Sequence, residues 1–257
     1  MNNILAISGI VIKELYRRKD FYVLFILTAL ITLVMGSLNL FNDDKIIRYV
    51  KEICLLLIWI SSLVIAIGTA SRQIPSEREN RTIFPLLAKP VTRAELLIGK
   101  FLGCWLASAA ALVIFYLFFA VFCAAREHEL RVLNYFQAMW LQWMLLAVVI
   151  SLTLLGSIVL SPAANATIVL IVTVGILLVG RHINKVALQL SEPWSSLVYA
   201  IYFLFPHLEF FDVRDLIIHN WDLIAWSIWG FASLYATVYT AFFLLAAWLI
   251  FRRKTLS

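Results

Sequence analysis

The chain has 257 residues, of which 63% are hydrophobic and only 14% charged, against roughly 25% charged in a soluble domain. A water-soluble globule of this length has too little interior to hide so much apolar side chain. These values exclude an ordinary soluble enzyme, a disordered chain and, despite a net charge of +6, a nucleic-acid-binding domain. They leave an integral membrane protein, in which a basic excess marks the cytoplasmic side.

In the first residues, Ile4, Ile7, Val11 and Leu15 recur at helical spacing, with Asn3, Lys13, Arg17 and Arg18 largely away from them. That pattern predicts an amphipathic helix in the membrane surface, its basic side chains near anionic lipid headgroups. The apolar residues precede the charges Lys13, Arg17, Arg18 and Lys19, which is the wrong order for a cleavable signal peptide. Six runs then reach the ~20 apolar residues that a ~30 Å bilayer core requires. They are 21–41, 53–71, 96–125, a hairpin of 138–160 and 163–180, and 223–251. The hairpin is drawn within one uncharged stretch, 132–180. As one helix that stretch would exceed ~70 Å at ~1.5 Å per residue, and Ser161-Pro162 interrupts it. Cys54, Cys104 and Cys123 sit in or beside these runs and read as small buried hydrophobes.

Counting Lys and Arg sets the orientation. With the N-terminus inside, thirteen fall on the inner side, including Arg72, Arg78, Arg81, Lys89, Arg93 and Lys100, and eight on the outer. Both termini are expected in the cytoplasm of a plasma-membrane protein.

Residues 72–95, RQIPSERENRTIFPLLAKPVTRAE, separate the second and third runs. Ser76 with Glu79 forms a capping box, which predicts a short helix from Glu77; Pro85 ends it near Phe84. Thr92 with Glu95 forms a second box that opens the third helix. From 93 to 123 that helix would run ~46 Å at ~1.5 Å per residue, so its first turns project beyond the bilayer. The short helix combines Glu77, Arg78, Glu79 and Arg81 with an apolar patch of Ile83, Phe84, Leu86 and Leu87. A rigid docking element on the inner face accounts for the two boxes and the patch together. A plain solvated loop is the alternative.

On the outer side, residues 181–222 hold an apolar segment, 197–205, between Pro193 and Pro206. It is too short to span a bilayer and is rich in Tyr199, Tyr202, Phe203 and Phe205, aromatics suited to the membrane–water boundary. It reads as a re-entrant or interfacial hairpin, with an amphipathic surface helix as the alternative. His207, Glu209 and Asp212 nearby have metal-ligating chemistry, but a solvated polar turn explains them more simply.

No phosphate-binding loop GxxxxGK[ST], HExxH helix or GxSxG elbow occurs. The histidines fall outside the runs, so haem ligation between spans is not supported. The polar side chains of the membrane cores are expected to be neutral, among them Thr28, Ser61, Ser62, Ser108, Gln142, Ser151, Thr153 and Thr173. Most of them can bond their own helix or a neighbour. Ion-coupled transporters usually need intramembrane charge. The chain thus reads as a transport bundle without its own energy source, bearing an inner docking element for a separate cytosolic ATPase.

These residues resemble a family. Glu77-Arg78, Thr82, Leu86-Leu87, Pro90-Val91-Thr92-Arg93 and Gly99-Lys100 are similar to the coupling segment of ABC type 2 exporter permeases, specifically the NosY-like group. The layout is similar too: an N-terminal amphipathic helix, six spans, both termini inside, and a re-entrant outer segment before the last span. The chain departs from the pattern at Arg81, where many members have Gly, and at Ile83-Phe84-Pro85, after a Thr that Leu-Glu often follows. The resemblance implies a single all-α permease domain over 1–257, with Ser76, Glu77, Arg78, Glu79, Arg81, Thr82, Phe84 and Arg93 coupling to the ATPase. Tyr199, Tyr202, Phe203 and Pro206 would form the outer re-entrant segment. It implies a second permease copy, identical or related, a P-loop ATPase partner that binds the ATP, and neither cofactor nor catalysis in this chain. A copper-site role known in the group finds no Cys or Met motif here. Two other classes stay open: an ATPase-independent secondary transporter, and a membrane assembly scaffold.

Overall fold

Inside hydrocarbon every backbone N–H and C=O must be bonded within the protein, so apolar runs of this length become helices. The computed structural model describes residues 2–17, 19–37, 44–79, 92–127, 131–204 and 206–253, and among these it is helical without a strand. In chain order the helices are α1 (Asn2–Arg17), α2 (Lys19–Ser37), α3 (Asp44–Ala70), α4 (Gln73–Glu79), α5 (Arg93–Glu127), α6 (Val132–Ser157), α7 (Pro162–Gln189), α8 (Trp194–Leu204), α9 (Arg214–Ile218) and α10 (Trp226–Arg253), with a 3-10 turn at Leu208–Phe211. Among the described residues, four segments are long and apolar enough to cross a membrane: Arg48–Glu77, Arg93–Ala124, Val132–Ser157 and Trp226–Arg253; Pro162–Leu178 is a shorter apolar helix. Several helices outrun their apolar runs. α3 starts nine residues before position 53, and α7 continues past Gly180 to Gln189, because a polar residue on a helix surface does not stop the backbone bonding.

α6 is the central element. Of its apolar window 72% is buried, against 22% for α10, and it packs against α3, α5, α7 and α10. Its neighbours are tied to it by side-chain bonds. Tyr116 of α5 donates to Gln142 Oε1 (2.8 Å), and Gln142 Nε2 reaches Ser62 Oγ of α3 (2.8 Å), which bonds the Trp59 carbonyl. One level along, Trp105 and Trp143 stack at 4.2 Å, each indole N–H donating to the other's carbonyl. Trp140 donates to Ser233 of α10. Ser108, Ser151 and Thr153 bond carbonyls of their own helices.

The expected break at Ser161-Pro162 is present. α6 ends at Ser157, and Pro162 occupies the first position of α7, where its missing N–H is not needed. Asn165, fully buried, clamps the corner by donating to the Thr153 carbonyl (2.9 Å). Its Oδ1 lies where a Cβ on Gly156 would stand, 2.1 Å away, so only glycine admits this close crossing.

Gly156→Val is therefore expected to destabilise the detergent-solubilised protein by about 2 kcal/mol, as overpacking does. Asn165→Ala added to it should recover part of the loss, an interaction that a double-mutant cycle of thermal unfolding would read.

Candidate functional site

At one end of the bundle the chain gathers α1, α4, the start of α5 and the end of α10. α4 follows α3 after only a two-residue turn, Ser71-Arg72. Its start is Gln73, not Glu77, which corrects the capping-box expectation: Ser76 lies inside the helix, its N–H bonded to the Arg72 carbonyl (3.0 Å). Local capping lost to continuity, since the helical bonding of α3 nearly carries through and Gln73 and Ile74 are buried. Pro75 fits because it stands in the first turn, where N–H groups lack helical acceptors. The second box forms as expected. Thr92 N–H and Oγ1 donate to Glu95 Oε2 (2.8 and 3.0 Å), and Glu95 N–H returns a bond to Thr92 Oγ1 (3.2 Å).

Three motif residues turn inward. Glu77 forms an ion pair with Lys100, and Lys100 is buried, so the run drawn as the third span contains a paired charge rather than neutral groups alone. Arg93 Nη1 donates to the carbonyls of Phe251 (2.6 Å) and Arg252 (3.0 Å) at the end of α10. Its guanidinium also lies 5.5 Å from the Phe251 ring centroid. Gln73 donates to Glu14 of α1 (3.4 Å). The side chains of Arg78 and Glu79 are outside the described residues, as are Arg81, Thr82, Phe84 and the rest of 80–91.

α1 is pinned to this end by a signal that sequence reading passed over. Gly99 and Gly103, four apart, leave no room for a Cβ. One at Gly99 would stand 2.9 Å from Ile7 Cβ, and one at Gly103 2.6 Å from Val11 Cβ. Small residues at this spacing let two helices approach closely. The stripe expected to face lipid thus faces α5: Ile7 and Val11 are buried, and Leu5, Ile10 and Ile12 are the exposed apolar residues.

At the opposite end, α8 packs against α7 and leads back along it. Glu209, just beyond α8, lies against Gly180, the level at which the apolar part of α7 ends. Tyr202 donates to Glu209 Oε1 (3.0 Å), and the His207 ring lies 4.1 Å from that of Tyr202 and 3.6 Å, through Nδ1, from Glu209 Oε1. Pro206 is buried and Tyr199 half-buried; the Phe203 side chain and all of Phe205 lie outside the described residues. Glu209 is nearly buried, which corrects the solvated-turn reading. Asp212 does not join it: Arg214 takes both Asp212 oxygens (2.7 and 2.9 Å). Burial works against the charge of Arg214, but those bonds and the charge of Asp212 hold its pKa above the ordinary arginine value. Lys51, 2% exposed, donates to the Ile217 carbonyl and Asn220 Oδ1. Gln137 closes the far turn with a reciprocal pair of bonds to Ile224.

Changing Glu77 removes the ion-pair partner of buried Lys100, and reversing Lys100 sets a like charge against Glu77, each at a cost of about 3 kcal/mol. Glu77→Lys and Lys100→Glu are each expected to lower the unfolding temperature by several degrees, and the double reversal to restore most of it. Equal losses in all three variants would show that the pairing does not matter.

The arrangement contains a helical bundle and a braced end, with no constellation of nucleophile and base among the described residues. A family model described as ABC-2 family transporter protein matches residues 10–256. No match to a curated protein accompanies it. The matched region takes in all but the first turns of α1 and the final residue, and with them both the braced end and the aromatic hairpin: the chain belongs to the ABC-2 transporter family.

Proposed function

We propose that the chain is the permease subunit of an ATP-binding cassette exporter. ABC-2 permeases generally work with a cytosolic ATPase, and the observation that carries this reading is the family match over residues 10–256. In this reading the six spans are α2, α3, α5, α6, α7 and α10, with both termini in the cytoplasm of the cell membrane. The excess of Lys and Arg on the side of α4 and the start of α5 supports that orientation. A second permease copy, identical or related, completes a twelve-span transporter, and surrounding lipid covers the exposed apolar faces.

The ATPase docks on the segment from 73 to 95 and binds the ATP; this chain supplies the path and the coupling. The pairing of Glu77 with Lys100 supports a division of labour within that segment. Glu77 and Arg93 hold it to the bundle, and among the other charged residues of the segment we assign Arg78, Glu79 and Arg81 to contact with the partner. Ser76, Thr82 and Phe84 shape the same segment. At the outer end, Tyr199, Tyr202, Phe203 and Pro206 form a re-entrant cap. The bond from Tyr202 to Glu209, seated on Gly180, supports a fixed hairpin over a free loop.

Purification of the tagged chain from native membranes should bring down a soluble P-loop ATPase whose turnover depends on it. Arg78→Glu with Arg81→Glu should cut that association at least tenfold and leave membrane insertion intact. Absence of any ATPase, or movement of cargo by the purified chain alone, would overturn the reading. For the outer cap, Tyr202→Asp with Phe203→Asp should impair folding or transport, and full transport would demote that segment.

A further inference from the structure

Arg93 stands in the first turn of α5, where a positive charge opposes the helix's own dipole. The favourable sign there comes from Glu95, two residues on, which also supplies the capping. What Arg93 does satisfy is the other end of the molecule. The last four carbonyls of a helix have no partner within it, and Arg93 Nη1 donates to two at the end of α10, those of Phe251 and Arg252. A cation is favoured at that helix terminus, and the Phe251 ring adds a face to stack on. α10 otherwise has little of its surface buried and packs chiefly along α6. The Arg93 fork is thus a direct polar tie between the start of α5 and the end of the last span.

We infer that Arg93 is a positioning residue that makes the cytoplasmic end of α10 move with α5, so that a displacement received at the docking segment reaches two spans at once. The inference rests on the proposed docking of an ATPase, and it assigns Arg93 to transmission within the chain rather than to contact with the partner. Glu77–Lys100 ties α4 to α5 in the same block, so the path runs from α4 through α5 to α10.

The test has two arms. In the purified chain, Arg93→Ala should raise hydrogen exchange at residues 250–253 at least tenfold, and Arg93→Lys, which keeps a donor, should restore part of the protection. Unchanged exchange would overturn the tie. In the complex with its ATPase, environment-sensitive fluorophores are placed on a cysteine-free background at Ile98 of α5 and, separately, at Ile250 of α10, both exposed positions. Adding ATP should shift both signals in the wild type. In Arg93→Ala the Ile98 signal should persist and the Ile250 signal fall at least fivefold. An Ile250 signal that survives, or a parallel loss of both, would overturn the inference. A wild-type chain that recruits no ATPase would instead defeat the docking reading itself, while the exchange arm would still decide whether the tie exists.

Discussion

Gln142 and the residues beside it on α6 are the constraint on which the bundle depends. Lipid tails are as apolar as leucine, so burial alone does not tell one helix which neighbour to choose or at what level. The chain Tyr116–Gln142–Ser62 supplies that choice by fixing α5 and α3 against one residue of α6. Trp143 and Trp140 repeat the principle toward α5 and α10. Interhelical bonds of this kind contribute only about 0.6 kcal/mol each on average, so their role is register more than adhesion. Adhesion comes from packing, which is closest where Gly99, Gly103 and Gly156 let neighbours approach.

The two ends of the bundle are built on different physics. The end holding α4 uses full charges: Glu77 with Lys100, and Arg93 on the terminal carbonyls of α10. A buried ion pair contributes little net stability against an apolar substitute, yet breaking one side of it is costly. That asymmetry suits an element that must keep its shape under load. The opposite end uses an aromatic hairpin, with His207 between Tyr202 and Phe210 and its backbone N–H donated to the Tyr235 hydroxyl oxygen. Contacts of this sort hold a segment in place at the depth where apolar and polar surroundings meet.

In the proposed reading, the consequence is a braced block at the α4 end attached to helices that differ in how firmly they are held. α6 is enclosed by its neighbours, whereas α10 exposes Phe231, Leu234, Val238, Phe242 and Leu245 along one side. A span with much of its surface outside the bundle can shift against its surroundings at lower cost than the central one. The Arg93 tie would give the proposed docking segment a handle on that helix.

The sequence by itself determined the class, the helical content, the break at Ser161-Pro162, the Thr92–Glu95 cap and the family. The family rests on motif residues between 77 and 100; the others depend on composition or on residues within four positions of one another, where covalent spacing fixes the outcome. It misplaced the start of α4, because a capping box at Ser76 competes with helical bonding arriving from α3, and only the path of α3 decides that contest. It directed α1 toward lipid, because periodicity reveals an apolar stripe but not what will cover it; Gly99 and Gly103 were the available clue. The roles of Glu77, Lys100 and Arg93 were beyond it for a plainer reason. A charge in a docking motif and a charge in an internal brace look alike in one dimension, and Arg93 meets Phe251 only after 158 residues of chain have folded back to bring them together.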